Sequence, residues 1–176
     1  LRSLGIGPGD KVISVSHTAV ATIAAIRMTG ATPILVDIDE HNFVMNPASI
    51  ERTIFAYRGP NLKAILPVHL YGRPVDMKVI LHFAQQNRLM VVEDCAQAHG
   101  AKLDGEMMGT WGAVAAFSFY PTKNLGAIGD GGAVASNDPE IITKLRLYSE
   151  YGWRERYISE LAGVNTRLDE LQAAIL

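Results

Sequence analysis

Residues 62–94 read LKAILPVHLYGRPVDMKVILHFAQQNRLMVVED, and this stretch decides the fold. Its two ends, 62–68 and 89–94, are short apolar runs of strand length. Between them, 76–88 reads as an amphipathic helix. Working outward, the same alternation continues upstream. Residues 11–15 form a strand and 19–28 a helix ending at Gly30; 32–37 form a second strand and 47–56 a helix with Pro47 near its first turn. Strands that alternate with helices build a mostly parallel sheet flanked by helices on both faces, so the chain is α/β. Downstream the pattern changes. Residues 113–120 and 131–136 read as strands around a Gly-rich turn, 139–151 as a long helix with Asp138 or Asn137 as its N-cap, and 167–176 as helical.

The 176 residues are enough for one domain with a sizeable core, and 48% of them are hydrophobic. The formal net charge of −2 supplies no basic excess for nucleic acid. Cys95 is the only cysteine, which excludes a disulfide framework or a cysteine-based zinc site and suits a reducing, cytoplasmic setting. No apolar run is long enough to span a bilayer, and no signal peptide or interdomain linker is evident. The chain opens without Met on what reads as the last turn of a helix, closed by Gly5 and by residues 7–9, and it stops inside a helical run. The expectation is one domain over 1–176, cut from a longer polypeptide at both ends.

Ligands of open α/β sheets bind beyond the carboxyl ends of the strands. Asp94 stands at such an end. A carboxylate there serves as a pyridinium partner, a ribose or metal ligand, or a helix N-cap, and its position alone does not choose between them. Lys123 lies between the apolar run 115–120 and the Gly-rich loop 126–132. Burial or a neighbouring cation favours the neutral amine, a nucleophile toward an aldehyde. Ser118, five residues earlier, is either a phosphate donor or a satisfied strand hydroxyl. The loop matches neither the dinucleotide nor the Walker pattern, and turns with φ > 0 are the expected reason for its glycines. The five histidines show no metal-ligand spacing. His69 and His99 are read as packing or hydrogen-bonding groups near the pocket, His41 and His82 as surface residues, and Trp111 and Trp153 as core or interface residues.

Several strings, taken together and in order, resemble the DegT–StrS group of nucleotide-sugar aminotransferases. They are SHTAVAT (16–22), PVHLYG (67–72), VEDCAQAHGA (92–101), AFSFYPTKNLG (116–126), GDGGA (129–133) and NTRLDELQAA (165–174). The resemblance implies the large, pyridoxal 5′-phosphate (PLP) binding domain of a fold type I enzyme, working as a homodimer. It implies transamination of a nucleotide-linked keto-sugar, with glutamate as amino donor, in amino-sugar and polysaccharide biosynthesis. By the same resemblance Lys123 matches the catalytic lysine that forms the Schiff base, Asp94 the carboxylate on the pyridine nitrogen, and Gln97 the donor to the ring's phenolic oxygen. Ser118 matches a phosphate ligand, and Asn165 the asparagine that reaches the phosphate of the partner subunit's cofactor. Two other outcomes on this scaffold are a sugar dehydratase, which carries His in place of the lysine, and a non-catalytic regulatory relative. Lys123 and Asp94 favour the transaminase. Many relatives have an aromatic residue where this chain has Ala19, which removes a ring stacked on the cofactor. The family's upstream Gly-Thr phosphate segment and its small carboxy-terminal domain are absent, so the fragment alone is not expected to carry out the full reaction.

Overall fold

The computed structural model describes residues 1–176. In place of a final α-helical turn, the chain opens on a 3-10 turn, Arg2–Leu4, closed by Gly5. Then follow β1 (Lys11–Val15), α1 (Val20–Met28), β2 (Thr32–Val36), α2 (Pro47–Tyr57), β3 (Leu62–Ile65), α3 (Met77–Asn87) and β4 (Met90–Asp94). The second half adds a short hairpin of β5 (Lys102–Leu103) and β6 (Glu106–Met107), then β7 (Val114–Ser118), β8 (Gly132–Ala135) and α4 (Pro139–Ser149). A second hairpin, β9 (Trp153–Glu155) and β10 (Ile158–Ser159), precedes α5 (Glu170–Ile175).

Six strands make one sheet in the order β2-β1-β3-β4-β7-β8. All neighbours are parallel except β7 and β8, which pair antiparallel from Ala115↔Ala135 to Ser118↔Gly132. Burial follows position. Val12, Ile13 and Val15 of the interior strand β1 are at most 1% exposed, as expected for a strand covered on both faces. Strand β2 lies at the edge, where Pro33 removes a backbone donor without cost to the ladder. Right-handed crossovers place α1 on one face of the sheet and α2 and α3 on the other, and α2 packs beside α3. Ile50 and Ile54 of α2 and Met77 and Ile80 of α3 point into one continuous core with Ile13, Ala64 and Ile65. Each fully buried aliphatic side chain there contributes about 1.5–3 kcal/mol.

Caps set the helix boundaries. Asn46, Asp76, Asp138 and Asp169 each accept a hydrogen bond from a backbone N–H of the first turn, and Pro47 and Pro139 occupy first-turn positions that need no donor. The last helix therefore starts at Glu170 and not at 167. Strand β3 stops at Ile65, short of the expected 68, because Pro67 has no N–H for the ladder. The extended chain still carries on: Asp94 N donates to Pro67 O, and His69 N to Asp94 O.

The chain reverses direction across β1, with β2 on one side and β3 on the other, so the crevice at the carboxyl ends of β1, β3 and β4 is the topological switch point of the sheet.

Candidate active site

Three segments meet at that crevice: the turn into α1, the loop after β3, and the segment after β4. Asp94 is half-buried at the end of β4. Its Oδ1 accepts from Ala96 N at 3.1 Å, and its Oδ2 from the Thr22 hydroxyl at 2.7 Å. A carboxylate offers about four lone-pair positions, so two remain for a ligand. Gln97 is oriented without ambiguity. Its Oε1 accepts from Tyr71 N at 2.8 Å, which leaves the amide NH2 as a free donor. Tyr71 itself sits in the left-handed region (φ 58°, ψ 22°), a conformation that costs a non-glycine residue about 1–2 kcal/mol. Strained backbone of this kind concentrates at functional sites. Its hydroxyl lies 3.3 Å from His17 Nε2.

Lys123 follows β7 and is half-buried, with its N–H donating to Tyr120 O at 2.8 Å. Lys123, Tyr71, Gln97, Thr122 and Asn124 line a cleft of about 240 Å³. Ser118 ends β7, two residues beyond Ala116, the register partner of Asp94. Its Oγ accepts from Tyr120 N at 3.2 Å, so its own proton is free to donate. The structure thus gathers Asp94, Gln97, Ser118 and Lys123 at one end of the sheet. Asn165 is elsewhere, exposed beyond the second hairpin. Its Oδ1 accepts from the backbone N–H of Arg167 at 3.3 Å and from its Nε at 2.9 Å, leaving the amide NH2 free.

The other face of β4 carries Glu93, which is fully buried. Its Oε2 accepts from Gly109 N (2.8 Å) and lies 3.2 Å from His69 Nε2. Its Oε1 accepts from Trp111 N (2.9 Å) and Gly112 N (2.7 Å). His69 Nδ1 accepts from Val75 N at 3.1 Å, so the ring proton is on Nε2 and is donated to Glu93. Burial pushes the Glu93 carboxyl up, but the bonds from His69, Gly112 and Gly109 outweigh it and hold the group below its ordinary value. Cys95 completes a buried trio whose ligand atoms all lie within 4.8 Å. Every acceptor position on Glu93 and the free nitrogen of His69 are already committed to hydrogen bonds. Burial first, then the charges of Glu93 and Asp94, push the Cys95 thiol well above its ordinary range. It is therefore neither a nucleophile nor a ready metal ligand at neutral pH.

His99 packs between Phe117 and Phe119 at centroid distances of 5.7 and 5.9 Å. Burial and the Lys123 charge lower its pKa against an opposing contribution from the Ser118 backbone, which keeps it neutral. One expectation fails at the Gly-rich loop. None of Gly126, Gly129, Gly131 and Gly132 has a positive φ. The reason is close approach: a Cβ on Gly126 would stand 2.7 Å from Pro121 O, and one on Gly132 2.7 Å from Phe117 O.

Sequence reasoning assigned no role to Thr22, Thr18, Tyr71, Thr122 or Asn124. No helix-face spacing could have joined Thr18 and Thr22, since Thr18 stands in the turn before the cap Ala19 and only Thr22 is in the first turn of α1.

The model of the DegT/DnrJ/EryC1/StrS aminotransferase family matches residues 1–176. Among curated relatives, a dTDP-3-amino-3,4,6-trideoxy-alpha-D-glucose transaminase of Streptomyces venezuelae is 51% identical over the whole chain, which covers 45% of that protein. A UDP-N-acetyl-3-dehydro-alpha-D-glucosamine 3-aminotransferase of Acidithiobacillus ferrooxidans is 49% identical, again over the whole chain and 47% of the relative. Among solved structures, NtdA of Bacillus subtilis with bound cofactor PMP superposes with a TM-score of 0.91 at 36% identity, over 99% of this chain and 39% of that one. The chain spans less than half the length of each.

Proposed function

The chain belongs to the DegT/DnrJ/EryC1/StrS aminotransferase family, and from that premise we propose that residues 1–176 are the cofactor-binding large domain of a PLP-dependent aminotransferase acting on a nucleotide-linked keto-sugar. The observation that carries this reading is the match between the free groups gathered at the carboxyl ends of β4 and β7 and the cofactor's chemistry. Asp94 has two unused acceptor positions, Gln97 a free amide donor, Ser118 a free hydroxyl proton, and Lys123 an amine. These fit, in turn, a protonated ring nitrogen, a phenolic oxygen, a phosphate and an aldehyde.

When bound, PLP supplies an electron sink for a carbanion at the amino-bearing carbon. Asp94 holds the proton on the ring nitrogen. Gln97 and Ser118 fix the ring's rotation and its phosphate. Lys123 would supply the amine that holds the aldehyde carbon, the carbonyl oxygen leaving as water. The free Lys123 amine would then serve as general base and acid, holding and returning the proton taken from the donor carbon. The tight cradle around β7, where Gly126 and Gly132 touch backbone oxygens, holds the turn that presents Lys123.

The proposed substrate class rests on the two relatives, one named for a dTDP-linked amino-sugar and one for a UDP-linked dehydro-sugar, with glutamate as the proposed donor. We also propose a homodimer in which the free amide of Asn165 reaches the partner's cofactor phosphate, since that amide faces no acceptor of its own chain. No helix is long and apolar enough to cross a membrane, and the buried, unpaired Cys95 suits a cytoplasmic enzyme.

The test uses the full-length protein with PLP, glutamate and dTDP- or UDP-linked keto-sugars. Amino-sugar product and 2-oxoglutarate, detected by mass, should form in equal amounts, and Lys123→Ala should form none. Turnover retained by Lys123→Ala would overturn the assignment.

A further inference from the structure

We infer that Thr22 is the positioning residue for Asp94, and that Thr18 orients it in turn. This rests on the reading of Asp94 as partner of the ring nitrogen. Thr22 is 5% exposed, in the first turn of α1. Its Oγ1 lies 2.7 Å from Asp94 Oδ2 across 72 residues of sequence, and 2.8 Å from Thr18 Oγ1. An ionised carboxylate has no proton to give, so Thr22 donates to Asp94. Its single proton is then used, so Thr18 donates to Thr22. The result is a two-hydroxyl chain polarised toward the carboxylate.

Two other threonines at helices sharpen the point. Thr29 and Thr143 bond back to carbonyls three or four residues earlier, at Ile26 and Pro139, the usual fate of a threonine at a helix. Thr22 does not. Its stiff β-branched side chain aims the hydroxyl across β3 to the end of β4. The other protein donor to Asp94, Ala96 N, belongs to the same turn as Asp94 and moves with it. Thr22 is thus the donor that ties the carboxylate to a separate element and sets its plane, so that the unused lone pairs face the crevice.

The experiment compares Thr22→Val, Thr22→Ser, Thr18→Val and Asp94→Asn in the full-length protein. Three readouts are taken: the melting temperature without cofactor, the dissociation constant for PLP, and the ¹⁵N shift of ring-labelled bound PLP. Thr22→Val, which keeps the shape and removes the hydroxyl, should weaken PLP binding about tenfold and move the ring-nitrogen signal toward the unprotonated position. Thr22→Ser should restore both, and Thr18→Val should show a smaller shift in the same direction. If Thr22→Val fails to fold, Thr18→Val carries the test, since it leaves Asp94 and its donor in place. Wild-type affinity and ¹⁵N shift in the folded valine variants, alongside a large effect of Asp94→Asn, would leave Asp94 assigned and overturn the role of Thr22. No effect of Asp94→Asn on either readout would overturn the reading of Asp94 and this inference with it.

Discussion

Glu93 and Asp94 are neighbours in the chain and opposites in use. Strand geometry sends their side chains to opposite faces of β4. Glu93 is 0% exposed and receives four hydrogen bonds, the full capacity of a carboxylate. Asp94 is half-buried, receives two, and faces the switch-point crevice. The saturated group is an anchor: it ties β4 to the loop after β3 through His69 and to residues 109–112 through backbone donors. The half-saturated group is available for a ligand. Spare acceptor capacity, more than burial or charge, separates the two roles.

Replacements at the two positions should therefore fail differently. Asp94→Asn should lower kcat/KM about 100- to 1,000-fold, the scale of losing a fixed electrostatic partner, while urea unfolding stays within about 0.5 kcal/mol of wild type. Unchanged kinetics in that variant would erase the contrast.

Glu93→Gln should do the reverse. Its amide would point a donor at backbone N–H groups already aimed at the carboxylate, costing about 3 kcal/mol of stability. The pH dependence sharpens this. The Glu93 carboxyl is held below its ordinary 4.5 in the folded state, so its contribution is fully present above that value and lost as pH falls through the lower folded value. Urea midpoints measured from pH 7 to pH 3 should fall steeply below about pH 4.5 in the wild type and less steeply in Glu93→Gln. Parallel slopes would show that Glu93 is not the group responsible.

The smallest expected effect lies at Ala19, the exposed N-cap of α1. Ala19→Phe should tighten PLP binding by roughly 2- to 10-fold, the scale of one aromatic contact, as read by fluorescence titration. Unchanged affinity would mean that this face of the crevice does not meet the ring.

The parallel sheet and its helices were legible because every strand from β1 to β4 is bounded by a helical pattern, and the position of Asp94 because it stands where β4 ends. The fine structure was not. The bond from Thr22 to Asp94 spans 72 residues and the contact of His69 with Glu93 spans 24, distances over which periodicity carries no information. The β5–β6 hairpin was missed although Asp104-Gly105, with φ of 52° and 88°, is a strong hairpin signal, because strands of two residues show no alternation. Glycines 126–132 were misread because a close approach leaves the same letter in a sequence as a positive φ.

Chemical trapping tests most directly whether the crevice at the carboxyl ends of the parallel strands holds PLP on Lys123. The full-length protein is saturated with PLP, reduced with borohydride, digested and mapped by peptide mass. A pyridoxyl adduct on Lys123 is expected, retained in Glu93→Gln wherever that variant is folded. A folded, PLP-saturated wild type with no adduct on Lys123, or with the adduct on another lysine, would contradict it.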